Sequence, residues 1–480
     1  MLFSSITFVI LFLPVTLLVY YCCPFIKAKN IILLIASLLF YAWGEPRFVL
    51  IMICSIMLNY GAGLLIGNAG FSVSKRKVSL ALGVSLNVLI LFYFKYLGFS
   101  EHILNSILKI THISEFQFTT AKIVLPLGIS FYTFQSISYL MDVYRTPALV
   151  QKNILNLGLF ISFFPQLIAG PIVRYHDINE QIKERKHRFD IFVQGVERFI
   201  IGLAKKVLIA NTLAEYVDGI LRLQYAWTPS VYLLLAVISG ALQLYYDFSG
   251  YSDMAIGMGR MFGFHILENF DYPFISKTPT EFWRRWHISL SSWFRDYLYI
   301  PLGGNRKGFI RQIINLLIVY SLVGLWHGAE FHFIVFGLMS GAVIVLEKSF
   351  QSILNKLYGK GKAASTIRSI LAHIIALSYT VCIFMFFRLN IKDGLDFYCN
   401  LLDFTRKIPL SVDLLLLADT RFSVFFACGL AFSFPWWRKL HIPINGFTTA
   451  LKYALLIVLL VLSIGRLATD AYNPFLYFRF

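Results

Sequence analysis

Two histidines lie in unusual surroundings within an otherwise apolar sequence. His287 lies in TEFWRRWHISLSSWFRDYLYIPLGGNR (280–306), which also holds three tryptophans and four arginines. His327 lies in the apolar segment VYSLVGLWHGAEFHFIVFGL (319–338). Histidine within a membrane segment is costly and by default marks a functional site. Two such imidazoles suit proton transfer, which serves both acyl transfer to a hydroxyl group and proton-coupled transport.

The residues around His287 predict a helix with clear ends. Thr278 can cap it, Pro279 suits its first position and Glu281 completes a capping box. The sequence Pro-Leu-Gly-Gly-Asn at 301–305 ends it. We therefore expect one continuous helix over 279–300 that is too charged to span lipid and lies at the cytoplasmic interface.

His287 falls on the apolar stripe of this predicted helix. Trp283, His287, Leu290, Phe294 and Tyr297 recur at helical spacing. A buried polar side chain on such a face is usually satisfied by a hydrogen bond, for example to a carbonyl. The sequence alone therefore favours a structural role for His287, and its arginine neighbours are typical of contacts with lipid phosphate.

His327 is predicted to lie where another group can approach the backbone closely. Gly324 and Gly328 remove side-chain bulk on either side of it. Glu330 would share a helical face with His327 and could orient its imidazole, whereas His332 falls on a different face. A metal site would need ligands from elsewhere, so no metal is expected.

The elements that carry these histidines belong to a membrane protein. The chain of 480 residues is 58% hydrophobic and 14% charged, whereas soluble domains carry about 25% charged residues. About eleven apolar segments approach the ~20 residues that a spanning helix needs. We predict an all-α, multi-pass fold in which residues 1–480 form a single membrane domain.

The net charge of +18 gathers in loops between the apolar segments. Examples are Lys27 with Lys29 and the stretches 174–188 and 284–311. Clusters of this kind mark cytoplasmic loops beside anionic lipid, which predicts an extracytoplasmic N-terminus. No nucleic-acid-binding motif accompanies the charge, so a nucleic-acid partner is not expected.

Some apolar segments are too irregular for simple spanning helices. Prolines and glycines interrupt 159–175, which predicts a kinked or re-entrant element. The run 313–346 is longer than one span needs, and its glycines predict a break or a steep tilt. Asp247 and Asp253 lie within 243–264, where a carboxylate requires a partner, an interior cavity or a place at the interface.

Five long segments follow one another in the order of a known family. They are LPLGISFYTFQSISYLMDVYR (125–145), FFPQLIAGPIVRY (163–175), QLYYDFSGYSDMAIGMGRMFGF (243–264), ENFDYPFISKTPTEFWRRWHISLSSWFRDYLYIPLGGNR (268–306) and GLWHGAEFHFIVFG (324–337). In these segments the chain resembles the membrane-bound O-acyltransferase (MBOAT) family, and more closely its bacterial alginate O-acetyltransferase branch. The resemblance covers most of residues 120–340.

The resemblance implies a ring of about eleven spanning helices, with re-entrant and interfacial helices, around a central funnel or tunnel. His327 matches the family's catalytic histidine and His287 its second motif position. We expect His327 to act as general base on an acceptor hydroxyl, and His287 to position the acyl chain or stabilise the oxyanion. The other expected substrate contacts are Trp283, Arg285, Trp286, Arg295, Asp296, Asn305 and Glu330.

The resemblance also implies the substrates and partners. The donor would be a cytoplasmic acyl thioester, either acetyl-CoA or an acyl carrier protein, acting as substrate and not as a bound cofactor. Acetyl is favoured over the D-alanyl group of the teichoic-acid branch because Ile-Pro-Leu-Gly-Gly-Asn at 300–305 looks more like the alginate branch.

The expected setting is the inner membrane of a bacterium, beside an extracytoplasmic SGNH-type acetyltransferase and polysaccharide assembly machinery. A proton-coupled transporter or flippase remains the rival interpretation, since it would use the same histidines. Internal repeats would favour a transporter, and none is visible.

Overall fold

The computed structural model describes residues 2–111, 118–119, 123–357, 362–404, 416–440, 443, 445–469 and 473. Every regular element within these residues is helical. The predicted all-α class is therefore confirmed.

The helices are numbered here in chain order. The first ten are α1 Leu13–Cys22, α2 Ile26–Gly44, α3 Val49–Ile66, α4 Val73–Leu91, α5 Leu97–Ile110, α6 Ile129–Arg145, α7 Ile154–Ser162, α8 Phe164–Leu167, α9 Tyr175–Lys183 and α10 Phe189–Ala204. The others are α11 Asn211–Leu221, α12 Ser230–Met261, α13 Pro279–Arg285, α14 Ile288–Phe294, α15 Phe309–His327, α16 Phe331–Leu357, α17 Lys362–Ile383, α18 Ile391–Leu402, α19 Thr420–Phe432 and α20 Gly446–Thr469.

Eight helical segments of the described chain are long and apolar enough to cross a membrane. They are Ile26–Gly44, Val49–Ile66, Val73–Ile110, Ser230–Met261, Phe309–His327, Phe331–Ser349, Ser369–Phe387 and Gly446–Thr469. Thr7–Cys22 and Thr420–Phe432 are shorter apolar helices. The multi-pass prediction is confirmed, whereas the number of about eleven spans stays a prediction.

The chain packs as two units. Unit 1 comprises Met1–Val196 and Ala255–Leu267, and unit 2 comprises Glu197–Met254 and Glu268–Phe480. Both histidines singled out in the sequence belong to unit 2.

In unit 1, the segment 159–175 is broken as predicted. Helix α7 ends before Phe163, and α8 is a single turn that begins at Phe164. The backbone N–H of Phe164 donates to Ser37 Oγ at 3.1 Å, and Gln166 Nε2 donates to the Phe160 carbonyl at 2.8 Å. Side chains thus form hydrogen bonds with backbone groups that have no helical partner at the break. A broken helix at membrane depth requires such hydrogen bonds.

In unit 2, both embedded aspartates have cationic partners. Asp247 pairs with Lys206 at 2.6 Å, and both side chains are almost fully buried. Asp253 pairs with Arg198 and Lys205, each at 2.7 Å. Of the alternatives for these carboxylates, the structure therefore supports the one in which each has a partner.

Helices α15 and α16 form a tightly packed hairpin. The long apolar run breaks at Gly328, as the glycines predict. A Cβ on Gly324 would collide with the carbonyl oxygen of Phe333, and one on Gly337 would collide with that of Tyr320. These glycines allow the two backbones to approach closely, and the hairpin holds His327 at its bend.

Candidate active site

The predicted continuous helix over 279–300 is wrong. Thr278 caps α13 as expected, since its Oγ1 accepts from the N–H of Glu281 at 3.1 Å. The helix then ends, and α14 begins only after His287, whose backbone is left-handed at φ 44° and ψ 55°. Left-handed backbone is uncommon for a residue other than glycine and persists only where the surroundings hold it.

The segment that holds this break begins at Asn269. Its carbonyl accepts from the N–H of Ile288 at 2.9 Å, while the N–H of Asp271 donates to the Arg285 carbonyl at 3.0 Å. The side-chain Oδ1 of Asn269 accepts from both the N–H and the Oγ of Ser289, at 3.2 and 2.8 Å. A long-range pairing therefore replaces the helical hydrogen bonds at this point.

Asn269 also determines which ring nitrogen of His287 carries the proton. Asn269 Nδ2 donates to Ser252 Oγ at 3.0 Å, which fixes Oδ1 on the side of His287. His287 Nδ1 lies 3.1 Å from that oxygen. Because Oδ1 only accepts hydrogen bonds, Nδ1 must carry the proton. The other nitrogen, Nε2, is then an acceptor, and it is buried with no hydrogen-bond partner among the described residues.

The environment of His287 keeps its imidazole neutral. The residue is 1% exposed, lies outside the eight spanning segments, and its ring meets that of Phe248 edge-on at 4.6 Å. Burial, and secondarily the charge that His327 carries when protonated, hold the pKa of His287 well below its usual range. His287 is thus a neutral side chain with one available acceptor atom.

His327 is the last residue of α15 and lies in an aromatic cage. Its ring is 5.0 Å from those of Trp326 and Phe387 and 6.0 Å from that of Phe336, measured between centroids. The side chain is 5% exposed. Rings on several sides restrict its rotation, so that the imidazole presents one edge to the space beside it.

That space is a cavity of about 460 Å³ in unit 2, which both histidines line. Helices α13, α14, α15 and α16 contribute its walls, and most of the lining side chains are apolar or aromatic. The two imidazoles that the sequence placed in separate motifs therefore face a single cavity.

Three cationic side chains also line the cavity, namely Arg284, Arg295 and Lys348. No aspartate or glutamate is among the described residues that line it. Arg295 forms an ion pair with the neighbouring Asp296 at 2.7 Å. The cavity therefore combines an apolar wall, two imidazoles and an excess of positive charge, which favours an anionic ligand with an apolar or uncharged reactive end.

Five of the nine residues singled out in the sequence line this cavity: Trp283, Trp286, His287, Arg295 and His327. The other four are placed differently. The Arg285 guanidinium forms ion pairs with Asp271 at 2.7 Å and Glu281 at 3.0 Å, just before the break. Asp296 pairs with Arg295, and Asn305 is exposed on the loop that follows.

Glu330 does not orient His327 as the helical pattern suggested. The helix ends at His327, so the two residues do not share a helical face. The Glu330 carboxylate instead lies 3.3 Å from Nδ1 of His332, and its side chain is 70% exposed.

Three residues of the site were not identified from the sequence. Asn269 lies in the segment 268–306, where its only distinguishing feature is an amide side chain between Glu268 and Phe270. Arg284 lies in the same motif and Lys348 in a basic stretch further on, but nothing in their spacing indicated a shared cavity.

Comparison with known proteins gives a consistent result. The family model described as MBOAT, membrane-bound O-acyltransferase family, matches residues 145–387. A probable alginate O-acetylase, AlgI, of Pseudomonas putida is 39% identical over the whole of both chains. The protein of that name from Azotobacter vinelandii is 45% identical over 73% of this chain and 69% of its own. A peptidoglycan O-acetyltransferase of Helicobacter pylori is 35% identical over 81% of this chain and 77% of its own.

Proposed function

The chain belongs to the membrane-bound O-acyltransferase family and is a multi-pass membrane acyltransferase, and on that premise we propose that it is an O-acetyltransferase for an exported glycan. The whole of residues 1–480 would act as one acyltransferase domain. The observation that carries the proposal is the cavity of unit 2, in which His287 and His327 face the same space beside three cations.

The proposed reaction is attack of an acceptor hydroxyl on the carbonyl carbon of an acetyl thioester. His327 acts as general base and takes the hydroxyl proton as the new C–O bond forms. The C–S bond then breaks, and the proton passes from His327 to the departing thiolate. The aromatic cage around His327 supports this assignment, because it fixes the imidazole and excludes water from it.

His287 has a supporting role that follows from its tautomer. An oxyanion donor would need a proton on Nε2, whereas the contact with Asn269 holds the proton on Nδ1. We therefore assign Nε2 of His287 to accept a hydrogen bond from a second O–H or N–H group of the acceptor, beside the attacking hydroxyl. This contact would orient the acceptor so that the attacking hydroxyl faces the thioester, while His327 removes the proton of that hydroxyl.

The cationic side chains of the cavity suit the donor. In both coenzyme A and the phosphopantetheine arm of an acyl carrier protein, a pantetheine chain carries phosphate at one end and an uncharged thioester at the other. Arg284, Arg295 and Lys348 would meet the phosphate, and the apolar wall would hold the arm. The donor is therefore a thioester substrate that enters from the cytoplasm, and no permanently bound cofactor is proposed.

The setting we propose is the bacterial inner membrane, with the N-terminus outside and the basic loops in the cytoplasm. The acceptor is an exported polysaccharide or peptidoglycan, or an extracytoplasmic SGNH-type acetyltransferase that passes acetyl onward within the polysaccharide assembly machinery. The full-length similarity to the probable alginate O-acetylase of P. putida supports acetyl over D-alanyl as the transferred group.

Everted membrane vesicles that contain the protein test the proposal against its rivals. We expect label from acetyl-CoA or an acetylated carrier protein, supplied on the outward-facing cytoplasmic side, to become alkali-labile ester inside the vesicle. Ester formed only from a D-alanylated carrier would reassign the substrate. Uptake of a solute driven by a proton gradient, with no ester formed, would identify a transporter instead.

A further inference from the structure

Two cations are buried in unit 1, outside the acyl-transfer cavity. Lys29 lies in the first turn of α2 and Arg185 follows α9, and each residue is 7% exposed. Charged side chains are almost never buried to this extent unless they are paired. Each of these two cations is therefore expected to have an anionic partner.

Every hydrogen-bond partner of Arg185 in the described chain is neutral. Nε donates to the Tyr20 hydroxyl at 3.0 Å and to the Phe262 carbonyl at 3.1 Å, and Nη1 donates to Asn30 Oδ1 at 2.7 Å. The guanidinium also stacks over the ring of Phe264 at 4.3 Å. The remaining nitrogen, Nη2, is buried and has no hydrogen-bond partner among the described residues.

Lys29 has aromatic neighbours in place of a carboxylate. Its Nζ lies 4.9 and 5.2 Å from the ring centroids of Tyr20 and Tyr21. Within the described part of the chain, neither Lys29 nor Arg185 forms an ion pair. The two side chains thus carry two positive charges that no described protein group neutralises.

His187 lies beside these cations and adds no negative charge. Its Nε2 is 2.8 Å from the Tyr20 hydroxyl. Burial first, then the charges of Lys29 and Arg185, lower the pKa of His187 to about 4. The imidazole is therefore neutral near pH 7, and the cluster keeps its excess of positive charge.

We propose that Lys29 and Arg185 bind a phosphate group at the edge of unit 1, and that an anionic phospholipid headgroup supplies it. A guanidinium nitrogen and an ammonium group are the donors that phosphate oxygens prefer. The adjacent Tyr21 and Phe25 are 42% and 73% exposed, as expected for side chains that contact the lipid around such a headgroup. The site shares no residue with the acyl-transfer cavity.

Native mass spectrometry of the purified full-length protein in neutral detergent tests this site. Phosphatidylglycerol, phosphatidylcholine and inorganic phosphate are the probes. We expect phosphatidylglycerol to bind the wild type more tightly than phosphatidylcholine, and Lys29→Gln to weaken that binding about tenfold or more. Lys183→Gln removes an exposed lysine from the end of α9 and should bind like the wild type.

Lys29→Gln is the informative variant because the Lys29 ammonium lies over two aromatic rings, whereas loss of Arg185 would remove several structural hydrogen bonds. The wild type could bind inorganic phosphate, and Lys29→Gln could lose that binding too. This result would support the phosphate site and assign it to a free anion. Equal binding of phosphatidylglycerol and phosphatidylcholine, or unchanged binding by Lys29→Gln, would overturn the proposal.

Discussion

Replacing Asn269 by alanine removes the oxygen that sets the tautomer of His287. In the wild type, Oδ1 of Asn269 accepts from the N–H and Oγ of Ser289 and from Nδ1 of His287. Without it, the imidazole can place its proton on Nε2 instead. Nε2, the nitrogen that faces the acceptor, would then carry a hydrogen and could no longer accept a hydrogen bond.

The size of the effect follows from the hydrogen bond that is lost. A buried donor left without an acceptor costs about 1–3 kcal/mol. In Asn269→Ala this cost falls on the Nδ1–H tautomer alone, because a proton on Nε2 faces the cavity. The competent tautomer is then disfavoured roughly five- to 150-fold, since about 1.4 kcal/mol corresponds to a factor of ten. We therefore expect Asn269→Ala to lower kcat by that range, with a smaller change in the KM for the thioester donor.

The assay is formation of acetyl ester in vesicles that contain equal amounts of folded protein. Asn59→Ala is the matched control, because Asn59 is a fully buried amide in unit 1 that pairs with Asn87, outside the cavity. A drop in kcat for Asn59→Ala as large as that for Asn269→Ala, or wild-type kcat in Asn269→Ala, would refute the tautomer argument.

The isosteric Asn269→Asp variant adds a test by pH. A carboxylate beside Nδ1 favours imidazolium and raises the pKa of His287, which in the wild type is well below its usual range. Wild-type His287 is therefore neutral from about pH 6 to 8, whereas the variant should lose activity at the acidic end and recover it as the pH rises. Superimposable pH profiles would contradict this reasoning.

Further substitutions test the surroundings of the site. Gly324→Ala should lower the free energy of unfolding by about 1–3 kcal/mol, measured in detergent, because its Cβ meets the Phe333 carbonyl. Glu330→Gln should change the rate of acetyl transfer less than about twofold, since Glu330 is exposed and outside the cavity. The hydrogen bond that His176 donates to Asp142 raises the pKa of His176, so its contribution to stability is present below about pH 6.5 and is lost as the pH rises through the folded pKa. Thermal unfolding should show this fall, and Asp142→Asn should flatten it.

The features of the fold that the sequence predicted correctly are local ones. Long apolar segments indicated a helical membrane protein, and eight helical segments of the described residues are long and apolar enough to cross a membrane. Pro165 and Gly328 lie at breaks because proline removes a backbone donor and glycine lowers helix stability, so helices often end beside them. Such effects depend on a few neighbouring residues, so composition and spacing are enough to find them.

The break at His287 was missed because its cause is distant in the chain. The apolar spacing from Trp283 to Tyr297 continues through the break, and periodicity alone therefore indicates one helix. The hydrogen bonds that end the helix come from Asn269 and Asp271. Nothing in the local pattern around 280–300 could reveal that pairing.

The site was predicted in part for the same reason. His327 was recognised from its residue type and apolar setting and His287 through the family resemblance, and both line the cavity. Arg285 was expected to contact the donor because it is a cation on the same segment, yet it pairs with Asp271 and Glu281. Which arginine faces a cavity depends on the break at His287, and that is a property of the tertiary structure.

The most direct test of the proposed chemistry is the ester-linked acetate on the exported polymer when His327→Ala is the sole copy of the protein. The amount should be normalised to folded, membrane-inserted protein, with His332→Ala as a control that lies outside the cavity lining. We predict that His327→Ala reduces acetylation by about 10²-fold or more, while His332→Ala acetylates normally. Near-normal acetylation by folded, inserted His327→Ala would contradict the assignment of His327 as the general base.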